Sequence, residues 1–126
     1  GTLSRDLDHW PMVAKTGLAR LALSTNTPVI PVAQWGSHVM MPTYSKKLRL
    51  FPRTQITIIA GKPVDLSPWQ GKADDPQALI EATAAVMRDI TTLLEGIRGE
   101  KRPEVIFDPH TSDLPRTGNF KKRPRK

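Results

Sequence analysis

The chain has 126 residues, 38% hydrophobic and 25% charged, which suits one domain with a modest core rather than a disordered or fibrous chain. It has no Cys, which excludes a disulfide framework, a thiolate nucleophile and a Cys-based zinc site; no apolar run approaches the roughly 18 residues of a transmembrane helix, and its first residues do not read as a signal peptide. The formal net charge of +7 favours anionic partners, and more than half of it lies near the C-terminus: residues 1–99 carry 11 Lys and Arg against 8 Asp and Glu, residues 100–126 carry 8 against 4.

After an opening "GTLSRD", the segment "PMVAKTGLARLALSTN" predicts a helix from Pro11. Val13, Ala14, Gly17, Leu18, Leu21 and Ala22 recur at helical spacing, and Pro11 suits a first turn. Thr27 and Pro28 end it, and "VIPVAQW" follows as a nearly continuous apolar run, the pattern of a strand buried on both faces. Residues 37–53 read as a loop carrying Lys46, Lys47, Arg49 and Arg53, and "TQITIIAGKPV" supplies a second strand bounded by Gly61 and Pro63.

A turn-rich linker, "LSPWQGKADD", leads to a long helix from Pro76 to about Gly99, with Asp75 as N-cap and Pro76 at the first helical position. Its apolar stripe is Leu79, Ile80, Thr83, Val86, Met87, Ile90, Leu93, Leu94 and Ile97. Residues 100–126 are basic, Pro-containing and without period, and read as a mostly disordered tail. The predicted class is α/β, with residues 1–99 as the folded part. Two strands and two helices are too few to cover a strand that is apolar on both faces. The inventory therefore predicts that further strands and helices, N-terminal to Gly1, belong to the same domain.

The opening stretch has the composition of an anion cradle. Gly permits close backbone approach, hydroxyl and N–H groups hold anionic oxygens, and Arg grips phosphate bidentately. "GTLSRD", the helix Lys and "VIPV" also come in an order that resembles the second half of the 1-acyl-sn-glycerol-3-phosphate (lysophosphatidic acid) acyltransferase family. Gly1, Thr2 and Ser4 match the G-T-x-S positions of that family's third block, Lys15 its helix Lys, and Ile30-Pro31-Val32 its V-P-V-like fourth block. The similarity covers residues 1–36 by motif and 54–98 by pattern only.

The resemblance implies the C-terminal part of the glycerolipid acyltransferase fold, a mixed sheet flanked by helices. It implies acyl transfer from acyl-CoA or acyl carrier protein to lysophosphatidic acid, giving phosphatidic acid for phospholipid synthesis at the cytoplasmic face of the cell membrane. The thioester is a co-substrate, and no metal or resident cofactor is implied. Gly1, Thr2, Ser4, Arg5 and Lys15 are then the phosphate-binding candidates, and Pro31 lies beside the substrate pocket, with Trp35, Met40 and Met41 as candidate lining of an acyl tunnel.

Two departures stand out. The family's catalytic H-x4-D pair is absent, since His9, His38 and His110 are followed at the fifth position by Ala14, Thr43 and Pro115; the isolated chain is expected to be inactive. The family's phosphate Arg is replaced by Leu3, which leaves Arg5 as the available guanidinium. The three His have no companions at metal-ligand spacing and carry no assigned chemistry.

Residues 46–53 and "KKRPRK" at 121–126 are candidates for an anionic membrane surface. Acylation of glycerol 3-phosphate or another lysophospholipid is one alternative reading. A basic module binding nucleic acid or a membrane surface is another, although the few scattered aromatics argue against nucleic acid.

Overall fold

The structure, a computed structural model, describes residues 4–43, 45 and 47–111. In chain order its elements are helix α1 (Gly17–Thr25), strand β1 (Val32–Trp35), a single-turn helix α2 (Ser37–Met40), strand β2 (Thr57–Ala60), a 3-10 turn (Ser67–Trp69) and helix α3 (Pro76–Arg98). Together they form a small mixed α/β domain.

Helix α3 follows the local signals in the sequence. The Asp75 carboxylate accepts a hydrogen bond from the Gln77 N–H at 2.9 Å, satisfying one of the orphan donors of the first turn. At the other end Gly99 takes the left-handed conformation (φ 66°) that a Cβ would disfavour, and its N–H reaches Glu95 O at 2.8 Å. Between the caps, α3 buries Ala78, Leu79, Ala82, Thr83, Ala85, Val86 and Leu94. The Thr83 hydroxyl, inside the core, donates back to Leu79 O at 2.7 Å. Ile80, placed on the predicted stripe, is exposed, because the neighbouring elements pack around Leu79, Ala82 and Val86 instead.

Helix α1 departs from expectation twice. Pro11–Lys15 is not helical; the Val13 N–H donates to Phe107 O at 2.9 Å, so a long-range backbone bond replaces the predicted first turn. The buried face also differs from the predicted one: Ala22 is buried as the spacing predicts, but Leu18 and Leu21 are exposed and Ala19 is buried instead. Ala19 and Ala22 share a core with Leu79, Ala82, Ala85 and Val86 of α3, and methyl-sized side chains on both helices allow their axes to approach closely. The helix ends at Asn26, which takes the left-handed φ of 52° that Asn adopts more readily than most residues; its N–H donates to Ala22 O, and its side chain accepts from the Gln70 amide.

Strands β1 and β2 pair antiparallel, Val32 opposite Ala60 and Trp35 opposite Thr57, and among the described residues the sheet has these two strands alone. The expectation of a strand buried on both faces is overturned. Ala33 packs with Leu94 and Trp10, and partly buried Trp35, Leu93 and Ile97 surround them. Val32 on the opposite face is 50% exposed, and its neighbour there, Ile58, is exposed as well. Alternation decides this, since successive side chains point to opposite sides and α3 covers only one of them.

Residues 100–111, the described part of the C-terminal segment, make contacts with the body. Arg102 bridges to Glu95 at 2.6 Å and bonds Thr92, and Phe107 O holds Val13, so residues 100–111 pack against α3 and the N-terminal segment. Residues 112–126, including "KKRPRK", lie outside the described residues.

Candidate functional site

Gly1 and Thr2, the first two candidates for phosphate contact, lie outside the described residues. The loop that follows is organised by Asp6. One oxygen of its carboxylate accepts from the N–H groups of Asp8 (3.1 Å) and Trp10 (2.9 Å), an Asx-type turn that closes the loop on itself. Ser4 Oγ donates to Trp10 O at 2.5 Å and accepts from the Asp6 N–H at 3.3 Å. A hydroxyl has one proton, and here it is committed to Trp10; Ser4 therefore acts as the strut of the loop. Arg5 is 4% exposed, so its guanidinium is turned into the protein and not presented on the surface.

Lys15 is exposed and precedes α1, outside any helix. Pro31 is buried immediately before β1; its carbonyl accepts from the Gly61 N–H at 2.8 Å, and its ring leaves so little room that a Cβ at Gly61 would lie 3.0 Å from Pro31 Cγ. A Pro in that position contributes an acceptor to the pairing without needing the donor it lacks. Met41, a candidate for lining an acyl tunnel, is exposed.

The loop delivers His9 and Trp10 to a cluster that sequence reasoning did not assemble. His9, with a left-handed φ of 64°, turns its ring toward Trp35 at the end of β1 and toward His38 in α2, with ring centroids 6.4 and 4.9 Å away. Trp35 and His38 are themselves 4.4 Å apart. From the last turn of α3, Arg98 inserts its guanidinium between the two indoles, 4.1 Å from Trp10 and 4.3 Å from Trp35. Two ring faces with negative quadrupoles hold the cation. Its remaining donors go to Asp8 O at 2.7 Å and to the Glu100 carboxylate. The N-terminal loop, the strand end and the helix end are thus clasped at one cation.

Burial, then the charges of His9 and Arg98, push the His38 pKa below the ordinary histidine value of 6.5. His38 is therefore neutral at pH 7 and able to accept a proton. Neither His9 nor His38 makes a ring hydrogen bond to a described residue, so the carboxylate that orients an imidazole for base catalysis is not supplied here. No group of three or more potential ligands among the described residues could hold a metal ion.

The sign of the pH effect follows from the direction of that shift. As pH falls below 6.5, the unfolded chain takes up a proton at position 38 while the folded chain resists it, so stability declines with acidification until the depressed folded value is passed. The urea midpoint should therefore drop between pH 7.5 and pH 5, and His38→Gln should flatten that drop. An equal slope in the variant would remove His38 from the account.

A groove of about 470 Å³, which Trp10 also lines, runs along α3, with Trp69, Ala85, Arg88, Thr91 and Ile106 among its other walls. Its Trp69 wall is fixed by the indole N–H donating to Glu81 at 3.0 Å. Neither histidine and none of the phosphate-binding candidates lines it.

Comparison of the chain with protein-family models, with curated proteins and with solved structures found no match. The histidine cluster left no signature in the sequence because His9, Trp35, His38 and Arg98 follow no common period; the two His are 29 residues apart, and only the packing of the N-terminal loop against β1 and α3 brings them together.

Proposed function

We propose that this chain is the part of a lysophosphatidic acid acyltransferase that follows its catalytic H-x4-D block, with loop 1–10 on the acceptor's phosphate side. What carries the reading is the order of Gly1-Thr2-x-Ser4, Lys15 and Ile30-Pro31-Val32. The described members flank α1 as the block order requires, Ser4 and Arg5 in the turn before it and Pro31 at the entry of β1. The exposed apolar face of the sheet, with Val32 and Ile58 on it, suits a hairpin belonging to a larger sheet. On this reading Ser4 holds the loop, and Arg5 supplies, from the interior side, the guanidinium that Leu3 lacks. The His and Asp that deprotonate the acceptor hydroxyl lie in the preceding block.

The test is acyl transfer from acyl-CoA or acyl carrier protein to lysophosphatidic acid. The 126-residue chain alone should give none, and a protein that continues N-terminally through an H-x4-D block should give phosphatidic acid. In that protein Arg5→Ala should raise KM for the acceptor about tenfold or more, as expected for losing a charge-assisted hydrogen bond, with kcat changed less. Arg5→Lys should recover part of the loss. Transfer by the isolated chain, or none by the extended one, overturns the reading.

A further inference from the structure

Between Asp8 and Asp65 the chain has no Asp or Glu, yet residues 9–64 hold seven Lys and Arg. All twelve acidic residues lie outside this run, so the whole formal net charge of +7 is equalled by one continuous stretch. The cations most densely spaced within it lie in the connection from α2 to β2. There Lys47, Arg49 and Arg53 are exposed, and so are the large apolar side chains between and beside them: Leu48, Leu50 and, at 82%, Phe51.

This exposure is built into the loop. Its ends are drawn together where the Gly36 backbone meets Gln55, close enough that a Cβ at Gly36 would lie within 2.2 Å of Gln55 O. Inside, the Arg49 N–H donates to Met40 O at 2.8 Å, the Ser45 N–H to Pro42 O at 2.8 Å and the Lys47 N–H to Ser45 Oγ at 3.0 Å. Part of the backbone is thereby bonded within the loop while the apolar side chains stay exposed.

We propose that this loop docks the protein on an anionic bilayer, with Leu48, Leu50 and Phe51 entering the headgroup–acyl boundary and Lys47, Arg49 and Arg53 pairing with lipid phosphates. Exposed aliphatic side chains gain by leaving water only if the partner offers an apolar phase, and cations gain only if it offers anions; the surface of an anionic bilayer offers both within a few ångströms. Nucleic acid offers the anions but would find a single stacking ring, Phe51, among these six residues. The proposal stands without the acyl-transfer reading, since vesicle binding needs no activity.

Because the chain has no Cys, a single introduced thiol labels one place. Leu50→Cys carrying an environment-sensitive fluorophore should shift to the blue with phosphatidylglycerol vesicles, remain unchanged with phosphatidylcholine vesicles, and lose the shift at high salt. The same label at exposed Asp74, on the linker before α3, should stay silent. At roughly fivefold per cation near an anionic surface, K47Q/R49Q/R53Q should lower vesicle partitioning by about 100-fold with an unchanged helical circular dichroism signal. The proposal is overturned if the vesicles bind while the label at position 50 stays silent, if that label answers a single-stranded oligonucleotide instead of vesicles, or if no vesicles bind.

Discussion

Leu79→Ala should lower the stability of the folded chain by about 3 kcal/mol, the middle of the range for truncating a fully buried Leu. Leu79 is 1% exposed and sits where α1, α3 and the Val64–Leu66 segment meet. Four of its partners in that cluster are already Ala: Ala19, Ala22, Ala82 and Ala85. Such neighbours have no side-chain freedom with which to fill a void, so the cavity should persist and its cost be felt in full. The loss cannot be charged to the helix itself, because Ala is the better helix former. Set against a typical total of about 5–15 kcal/mol, it is a large fraction of the whole. Urea denaturation read by far-ultraviolet circular dichroism measures it, and a loss under about 1 kcal/mol would show that α1 can settle onto α3 across the gap.

Gly36→Ala is expected to cost as much by a different route. Gly36 has φ 103°, and a Cβ there would lie 2.2 Å from Gln55 O and 3.3 Å from Ile56 Cα, both backbone atoms that cannot rotate aside. The left-handed conformation costs an L-residue roughly 1–2 kcal/mol, and forcing the two strand ends apart adds a comparable overpacking term, for a total of about 3 kcal/mol. Gly71→Ala is the matched control: φ is +75° and nothing lies within 4 Å of the added carbon, so only the conformational cost of about 1 kcal/mol should appear. If the two variants unfold at the same denaturant concentration, the close approach at Gln55 is not constraining the hairpin. Opening that contact should also release the loop that carries Leu48, Leu50 and Phe51, so the same variant is expected to weaken vesicle docking.

The segments read correctly from sequence were those whose signals are local. Asp75, Pro76 and Gly99 set the limits of α3 through bonds and dihedrals that involve residues at most four apart. The two strands were located by their apolar runs, although each proved shorter than its run. In the opening loop the residue types suggested an anion cradle, but the same hydroxyl and N–H groups serve the loop's own closure around Asp6, and composition cannot tell which use a group is put to. The basic, apolar loop between α2 and β2 was visible as a charge run, yet its interleaved Leu and Phe became informative only once they were found exposed.

What the sequence alone determined is the order of α1, β1, β2 and α3, the capping of α3 and the separation of cations from acids, because each follows from neighbours along the chain; α2 and the 3-10 turn, which lie in stretches read as loop and linker, it missed. Tertiary structure decided the rest. Helix α1 begins at Gly17 because Val13 bonds Phe107, 94 residues away, and it buries Ala19 and Ala22, with Leu23 packed beside them, because that side of the helix is the one that meets α3. β1 shows one apolar face to solvent because α3 covers only the other. His9, Trp35, His38 and Arg98 meet because a sheet end, a helix end and a turn in left-handed conformation arrive at one point. Periodicity records which side of an element is apolar; only packing sets what, if anything, covers it.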